Sequence, residues 1–272
     1  MKWSTIVVHQ FNKALNVFKL NISDTGASIE LLCQNNFSMA RYGDGELNIM
    51  MGGDIHFQPY NSELAGRLKE ILRSYDEQSA LKIGVPLAIN TTAGYNKTAK
   101  DFWEMNLSSG RMHWFRYCGL RKKFINASLT RCYIDYEEKE QSLLWFQQIQ
   151  ALWRNKKVLV VEGAASRMGV QNNLFDNTAS VNRIITKSSD AWIVYAWILE
   201  TTLKVAKNYD LILVSLGPTA TVLAADVSKH GYRILDIGHI SLEYDEYQND
   251  GLGVNQNDCK IKYQNQIIEQ IF

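Results

Sequence analysis

Three short, β-branched runs, each closed by glycine, constrain this chain most. They are Lys157–Glu162 before Gly163, Leu211–Ser215 before Gly217-Pro218, and Arg233–Ile237 before Gly238. Apolar runs too short for helices fit strands buried on both faces of a parallel sheet. Thr219–His230 follows the second run, with Val222, Leu223, Ala225 and Val227 inside it, Pro218 at its start and Gly231 after its end. Proline in the first turn and glycine after the last mark a helix. Ala191–Lys207 is a second apolar helix. Strand, glycine turn and helix in repetition mean βαβ units, hence a Rossmann-like α/β sandwich with a mostly parallel sheet.

The first half follows the same grammar less regularly. Ile29–Asn35 reads as a helix, and Phe37–Tyr42 as a strand running into Gly43-Asp44-Gly45. Glu46–Met51 starts a helix. Ser62–Tyr75 is amphipathic, with Leu64, Leu68, Ile71 and Leu72 at helical spacing. Lys82–Pro86 is a short strand, and Ser142–Trp153 a helix leading into the Val158 strand. No repeat is visible, and only three prolines occur, so one compact domain with a decorated middle is expected.

Charge excludes some classes of function. The formal net charge is +1, which gives no reason to expect nucleic acid as a partner. Four cysteines occur without a C-x-x-C pair, so reduced thiols in a cytoplasm are the simpler expectation. Met1–Leu20 is too broken for a signal-peptide core and too short for a membrane span.

Four segments carry chemistry. Arg41-Tyr42-Gly43-Asp44-Gly45-Glu46 falls where a strand ends and a helix begins. Gly43 and Gly45 let backbone N–H groups approach a phosphate, and Arg41 adds positive charge. Asp44 and Glu46 offer hard oxygen ligands for Mn²⁺ or Mg²⁺, which would bridge to a diphosphate and neutralise a leaving nucleotide. The alternative is a turn whose Asp44 caps the next helix. Glu162–Val170 follows the strongest strand, and Ser166 and Arg167 could grip phosphate there, with Asn172 and Asn173 near a base or ribose. Ser215–Thr221 places Gly217 and Thr219 at another helix start, as a phosphate niche or as plain caps. Asp236–Tyr244 supplies His239, a metal ligand or a structural histidine. It also supplies Glu243 as a general base, with Asp236 as the second choice. The stretch Phe115–Tyr133 interleaves Arg116, Arg121, Lys122, Lys123 and Arg131 with aromatic residues. It suits an acceptor sugar or an anionic ligand, or it is a solvated helix face.

Taken in order, these segments resemble the GT-D-type glycosyltransferases, first described only as a domain of unknown function. The resembling residues are Ala40–Glu46, Glu162-Gly163 with Ser166-Arg167 and Gly169-Val170, Leu174–Asn177, Leu216–Thr221, and Leu235–His239 with Glu243-Tyr244. They span about residues 37–247. The resemblance covers a GT-D-like domain over 37–247; residues 1–36 read as a helical segment, and residues 248–272, which match nothing in the family, as a polar loop over Asp250–Asp258 and a short helix over Ile261–Phe272. It implies that Asp44 and Glu46 serve a divalent metal, typically manganese, and a nucleotide-sugar, typically a UDP-sugar. It also implies that His239 and Glu243 lie at the same site. The expected reaction is transfer to a protein- or lipid-linked glycan in bacterial surface glycan or polysaccharide synthesis. A lipid-linked acceptor would bring peripheral contact with the inner membrane face. Relatives often carry a second glycine and an aspartate where Gln171 and Asn173 stand here. The rival expectations are a metal-dependent nucleotide-sugar hydrolase or phosphotransferase, and a non-catalytic binding module.

Overall fold

A computed structural model describes residues 18–170, 172–249 and 266–272. The short strand β1 (Asn21–Ile22) is followed by α1 (Thr25–Gln34), whose first turn is capped by Asp24 accepting from the Ala27 N–H. Next come β2 (Ser38–Arg41), α2 (Asp44–Met51), α3 (Ser62–Ser74) and β3 (Leu81–Val85). The 22-residue helix α4 (Lys97–Cys118) leads into β4 (Lys123–Asn126) and α5 (Glu140–Ala151). The second half comprises β5 (Lys157–Gly163), β6 (Ser180–Thr186), α6 (Tyr195–Ala206), β7 (Leu211–Ser215), α7 (Pro218–Lys229), β8 (Ile234–Asp236), α8 (Ile240–Asn249) and β9 (Ile267–Gln270).

The nine strands form one sheet in the order β1-β4-β3-β2-β8-β7-β5-β6-β9. Every described pair is parallel, where a mostly parallel sheet was expected. Alternate strand residues enter separate cores. Val158, Val160, Leu211, Leu213 and Leu235 pack with Ile29 and Leu32 of α1, Phe146 of α5 and Tyr244 of α8. Leu159, Val161, Ile212, Val214 and Ile234 pack with Ile198 of α6 and Leu223 of α7. That second face continues into a cluster of α2, α3 and α4 side chains with Ile83 and Val85. Helices therefore cover both faces, which is why the strands read as unbroken apolar runs. α7 runs through the middle of one layer, and nine of its twelve residues are buried, so even Thr219 and Thr221 are inside.

The Ile261–Phe272 helix is corrected over its described part. Residues 267–270 are a strand pairing with β6, and residues 261–265 lie outside the described residues. The β-branched pair Ile267-Ile268 satisfies backbone groups on the otherwise open edge of β6. In the 1–36 segment, the described part holds β1 as well as the expected helix. β6 itself was not foreseen, because Asn182 and Arg183 interrupt its apolar run. Arg183 is buried, and its Nη1 lies 2.6 Å from Glu162 Oε1. The ion pair across β5 and β6 lets a cation sit in a core strand. Among the described residues no helix is long and apolar enough to cross a membrane.

Candidate active site

The carboxyl ends of β2 through β8 open onto one cleft of about 800 Å³. β5 connects to β6 on one side and β7 connects to β8 on the other, so the sheet has a topological switch point beneath it. Open α/β sheets bind ligands at such points.

Arg41 ends β2 and crosses the cleft floor. Its Nη1 donates to Thr130 Oγ1 at 2.7 Å and to the Ala127 carbonyl at 3.2 Å, and its Nη2 to Asp236 Oδ1 at 3.1 Å. Asp236 ends β8 and is buried; burial raises its carboxyl above the usual range although Arg41 opposes that. Gly238 makes the arrangement possible. Its φ is +44°, and a Cβ there would stand 1.8 Å from Arg41 Nη2.

The D-x-E element sits at the first turn of α2. The Gly43 N–H donates to Glu46 Oε2 at 2.6 Å, so Glu46 turns back over its own helix start. Asp44 is exposed beside it. Burial, then the charge of Asp236, pushes the Glu46 carboxyl up to about 7. Both carboxylates line the cleft, as do Arg41, Gly43, Gly45, Ser166, Gly217 and His239. Gly217 has a φ of +54°, and the Phe57 ring lies 2.3 Å from where a Cβ would be. Phe57 in turn meets His239 edge to face, with centroids 6.5 Å apart. Burial, then Arg41 and Arg131, lower the His239 pKa, so the neutral imidazole dominates at neutral pH.

Other expected site residues are placed elsewhere. Thr219 is fully buried and donates to Gln58 Oε1 at 3.5 Å, behind the wall rather than in it. Arg167, in a left-handed conformation, stands outside the cleft lining. Asn172 is held by Asp245 at 2.7 Å and Asn173 accepts from Tyr244 Oη at 2.8 Å, so neither reaches a ligand in the cleft. Gln171 lies outside the described residues.

Glu243 does not take the general-base position. It is fully buried, and its Oε2 accepts the N–H groups of Tyr133 and Ile134 at 3.0 and 2.8 Å. Its role is to pin the loop that presents Arg131 and Asp135 to the cleft. Glu243→Ala is expected to remove the acceptor of the Tyr133 and Ile134 N–H groups, at about 1–3 kcal/mol each. Glu243→Gln keeps an acceptor, so thermal melts should show a marked loss for the alanine variant and a small one for glutamine.

The basic-aromatic middle meets the cleft only at its C-terminal end. Trp114, Tyr117 and Phe124 are core. Lys122 donates to the Leu72 and Arg73 carbonyls at the end of α3, and Lys123 opens β4 at the sheet edge opposite the cleft. Only Arg131 of that group lines the cleft. The foreseen segments left out Phe57, Gln58, Lys187–Asp190 and the start of α4, all of which line it. The Val181, Ile184 and Ile185 pattern was the available signal for β6, which delivers Lys187–Asp190.

The charge of the wall decides what can enter. Asp44, Glu46, Asp135, Asp190 and Asp236 face Arg41, Arg131 and Lys187. Arg41 is already on Asp236, and Arg131 grips Asp135 through two bonds of 2.9 and 2.8 Å. A diphosphate would meet an excess of carboxylate, which a divalent cation would offset. Among the described residues no three His, Cys, Asp or Glu side chains form a ready cage, so Asp44, Glu46 and His239 are not a closed three-ligand set. Manganese and magnesium commonly use one or two carboxylates and complete their shell with water and substrate phosphate, so an exposed Asp44 beside Glu46 fits them.

Residues 39–267 match the model of the glycosyltransferase GT-D fold. The chain belongs to the GT-D glycosyltransferase family. It is 35% identical over 231 residues to a probable glycosyl transferase, Gly, of Streptococcus gordonii, and 32% identical over 241 residues to the glycosyltransferase GlyD of Streptococcus pneumoniae. Those alignments take in 85% and 88% of this chain but 33% and 29% of the relatives, so the chain spans about a third of their length. A solved structure of domain of unknown function 1792, described as a distinct glycosyltransferase fold, superposes with a TM-score of 0.88 at 33% identity. That superposition takes in 97% of this chain and 100% of the other. A second, described as a new glycosyltransferase from Streptococcus sanguinis, has a TM-score of 0.82 at 30% identity over 93% of this chain and 100% of its own. The GT-D match runs through the D-x-E turn, the Ser166 loop, Gly217 and His239, the parts that build the cleft.

Proposed function

We propose that this chain transfers a sugar from a nucleotide-sugar, most simply a UDP-sugar, to an acceptor glycan in bacterial surface glycan or polysaccharide synthesis, with a divalent metal. One observation carries the reading: an exposed Asp44 and a partly buried Glu46 share the first turn of α2, at the centre of a cleft whose wall is richer in carboxylates than in cations. Such a wall suits a diphosphate only when a cation arrives with it. Asp44 and Glu46 would hold manganese or magnesium, and neutral His239 lines the same cleft. When bound, the ion supplies charge neutralisation for the departing nucleoside diphosphate.

The chain's own residues do the rest. Arg41 is fixed by Thr130, Ala127 and Asp236, so its charge stays at the cleft floor without reorganising. Gly217 makes room for the Phe57 ring against the start of α7, which shapes the cleft wall there. Glu243 lies outside the cleft lining, whereas Asp236 is within it and is the second candidate for proton acceptance.

The test is nucleotide release from a panel of nucleotide-sugars, with Mn²⁺ and with chelator, followed by mass spectrometry of added glycans. Metal-dependent release coupled to a glycan gaining one sugar supports the reading. Release that never depends on a glycan would replace it with a hydrolase. No release with any donor would leave a binding module.

A further inference from the structure

The cleft extends to both sides of its acidic centre, and the two wings differ in chemistry. Asp44 and Glu46 follow β2, and Asp236 ends β8 with His239 after it, the two neighbouring strands at the middle of the sheet. One wing lies over β7, β5 and β6, and is lined by Gly163, Ser166, Ser188 and Gly217 with Lys187. The other lies over β3 and β4 and is closed by the first turns of α4. At about 4.8 Å per strand, each wing reaches roughly 10–15 Å from the centre.

The α4 wing has its own composition. Phe102 is 40% exposed yet lines the cleft, and packs edge to face on Trp103 with centroids 5.4 Å apart. The Arg131–Asp135 pair, whose two bonds fix both planes, lines the same cleft, and the Asp135 carbonyl accepts the N–H of Asn96 at the start of α4. Asp135 is held at the cleft by Glu243 through the loop backbone, so this wall is preformed. An exposed aromatic ring in one cleft wing with a fixed carboxylate and guanidinium matches an uncharged, polyhydroxylated ring. The C–H face of such a ring packs on the aromatic, and its hydroxyls reach the ions. Met105 and Met112, the other exposed apolar residues of α4, stand outside the lining, so Phe102 is not one member of a general docking stripe.

The reaction adds a directional constraint. The carbon that accepts attack is the one bonded to the diphosphate, so it lies at the metal-binding centre, with the nucleoside on one side and the attacking hydroxyl on the other. The wing with the Ser166 and Ser188 hydroxyls and the Lys187 ammonium suits the phosphates and nucleoside. We infer that the α4 wing is the acceptor subsite, that its occupant is a neutral sugar ring, and that Phe102 is its stacking platform. This rests on the glycosyltransferase reading.

The test pairs two measurements on the whole chain. Nucleotide binding is read as the melting shift given by UDP with Mn²⁺. Acceptor binding is read by saturation-transfer NMR of a panel of methyl hexosides and methyl N-acetylhexosaminides, added to the UDP- and Mn²⁺-loaded protein. At least one glycoside is expected to bind the wild type. Phe102→Ala should weaken it about ten-fold or more, and Phe102→Trp should restore it. The UDP shift should be the same in all three proteins. Four results would overturn the subsite. The first is no glycoside bound to nucleotide-loaded wild type, and the second is binding that Phe102→Ala leaves unchanged. The third is loss in Phe102→Ala that Phe102→Trp fails to restore, and the fourth is a UDP shift that falls together with the glycoside signal. A wild type that shows no shift with any nucleotide would instead overturn the glycosyltransferase reading itself.

Discussion

Gly238→Ala is expected to disable the site and to cost several kcal/mol of stability. The added methyl would stand 1.8 Å from Arg41 Nη2 at a backbone φ of +44°. Arg41 is flexible in principle, but it is tied to Thr130, the Ala127 carbonyl and Asp236. Moving it breaks those bonds and leaves Asp236 buried without its cation. Breaking a buried pair from one side costs about 3–5 kcal/mol, and alanine at positive φ adds about 1 kcal/mol. For a chain of this size that is roughly a 10 °C fall in melting temperature. The mechanism is specific, so Gly238→Ala and Arg41→Ala should be strongly non-additive in a double-mutant cycle. Additive losses would mean that the glycine acts through something other than Arg41.

Glu46→Gln and Asp44→Asn should separate activity from folding. Glutamine keeps an oxygen for the Gly43 N–H, so the helix start survives. What it removes is the charge that would help hold the metal. Turnover is expected to fall about 100-fold or more, the scale of losing one preorganised electrostatic group. The fold should be retained, and pH shows this directly. The Glu46 carboxyl is raised from 4.5 to about 7 by burial and by Asp236. The folded state therefore binds this proton more tightly than the unfolded state. Its contribution is full below about pH 4.5 and is lost as pH rises through 7. In chelator, wild type should lose stability relative to Glu46→Gln across that window. Parallel pH profiles for the two proteins would contradict the placement of Glu46.

The sheet was legible where the chain uses strong signals. β5 and β7 read directly from Val158–Val161 and Leu211–Val214, because strands covered on both faces need apolar residues at every position. β6 did not, since the buried Arg183 is neutralised by Glu162 on the adjacent strand, a partner that no local window shows. β9 was read as a helix because its partner β6 is distant in sequence. The site divides on the same line. Asp44, Glu46, Ser166, Gly217 and His239 lie just after strands and line the cleft. Glu243 is one turn further along α8, which turns its carboxylate inward to backbone donors. The Phe115–Tyr133 stretch looked amphiphilic in sequence, but Tyr117 and Phe124 serve the core, Lys122 the end of α3, and of its cations only Arg131 lines the cleft.

The most direct test of the proposed donor site is the melting temperature of wild type and Glu46→Gln with UDP, with Mn²⁺ or with chelator. A ligand near 100 times its Kd stabilises by about 2.7 kcal/mol, roughly 5–10 °C here. The expected result is a shift of that order for wild type with UDP and Mn²⁺, lost in chelator and lost in Glu46→Gln. A shift of equal size in Glu46→Gln, or one indifferent to chelator, would contradict a metal–diphosphate site at Asp44 and Glu46.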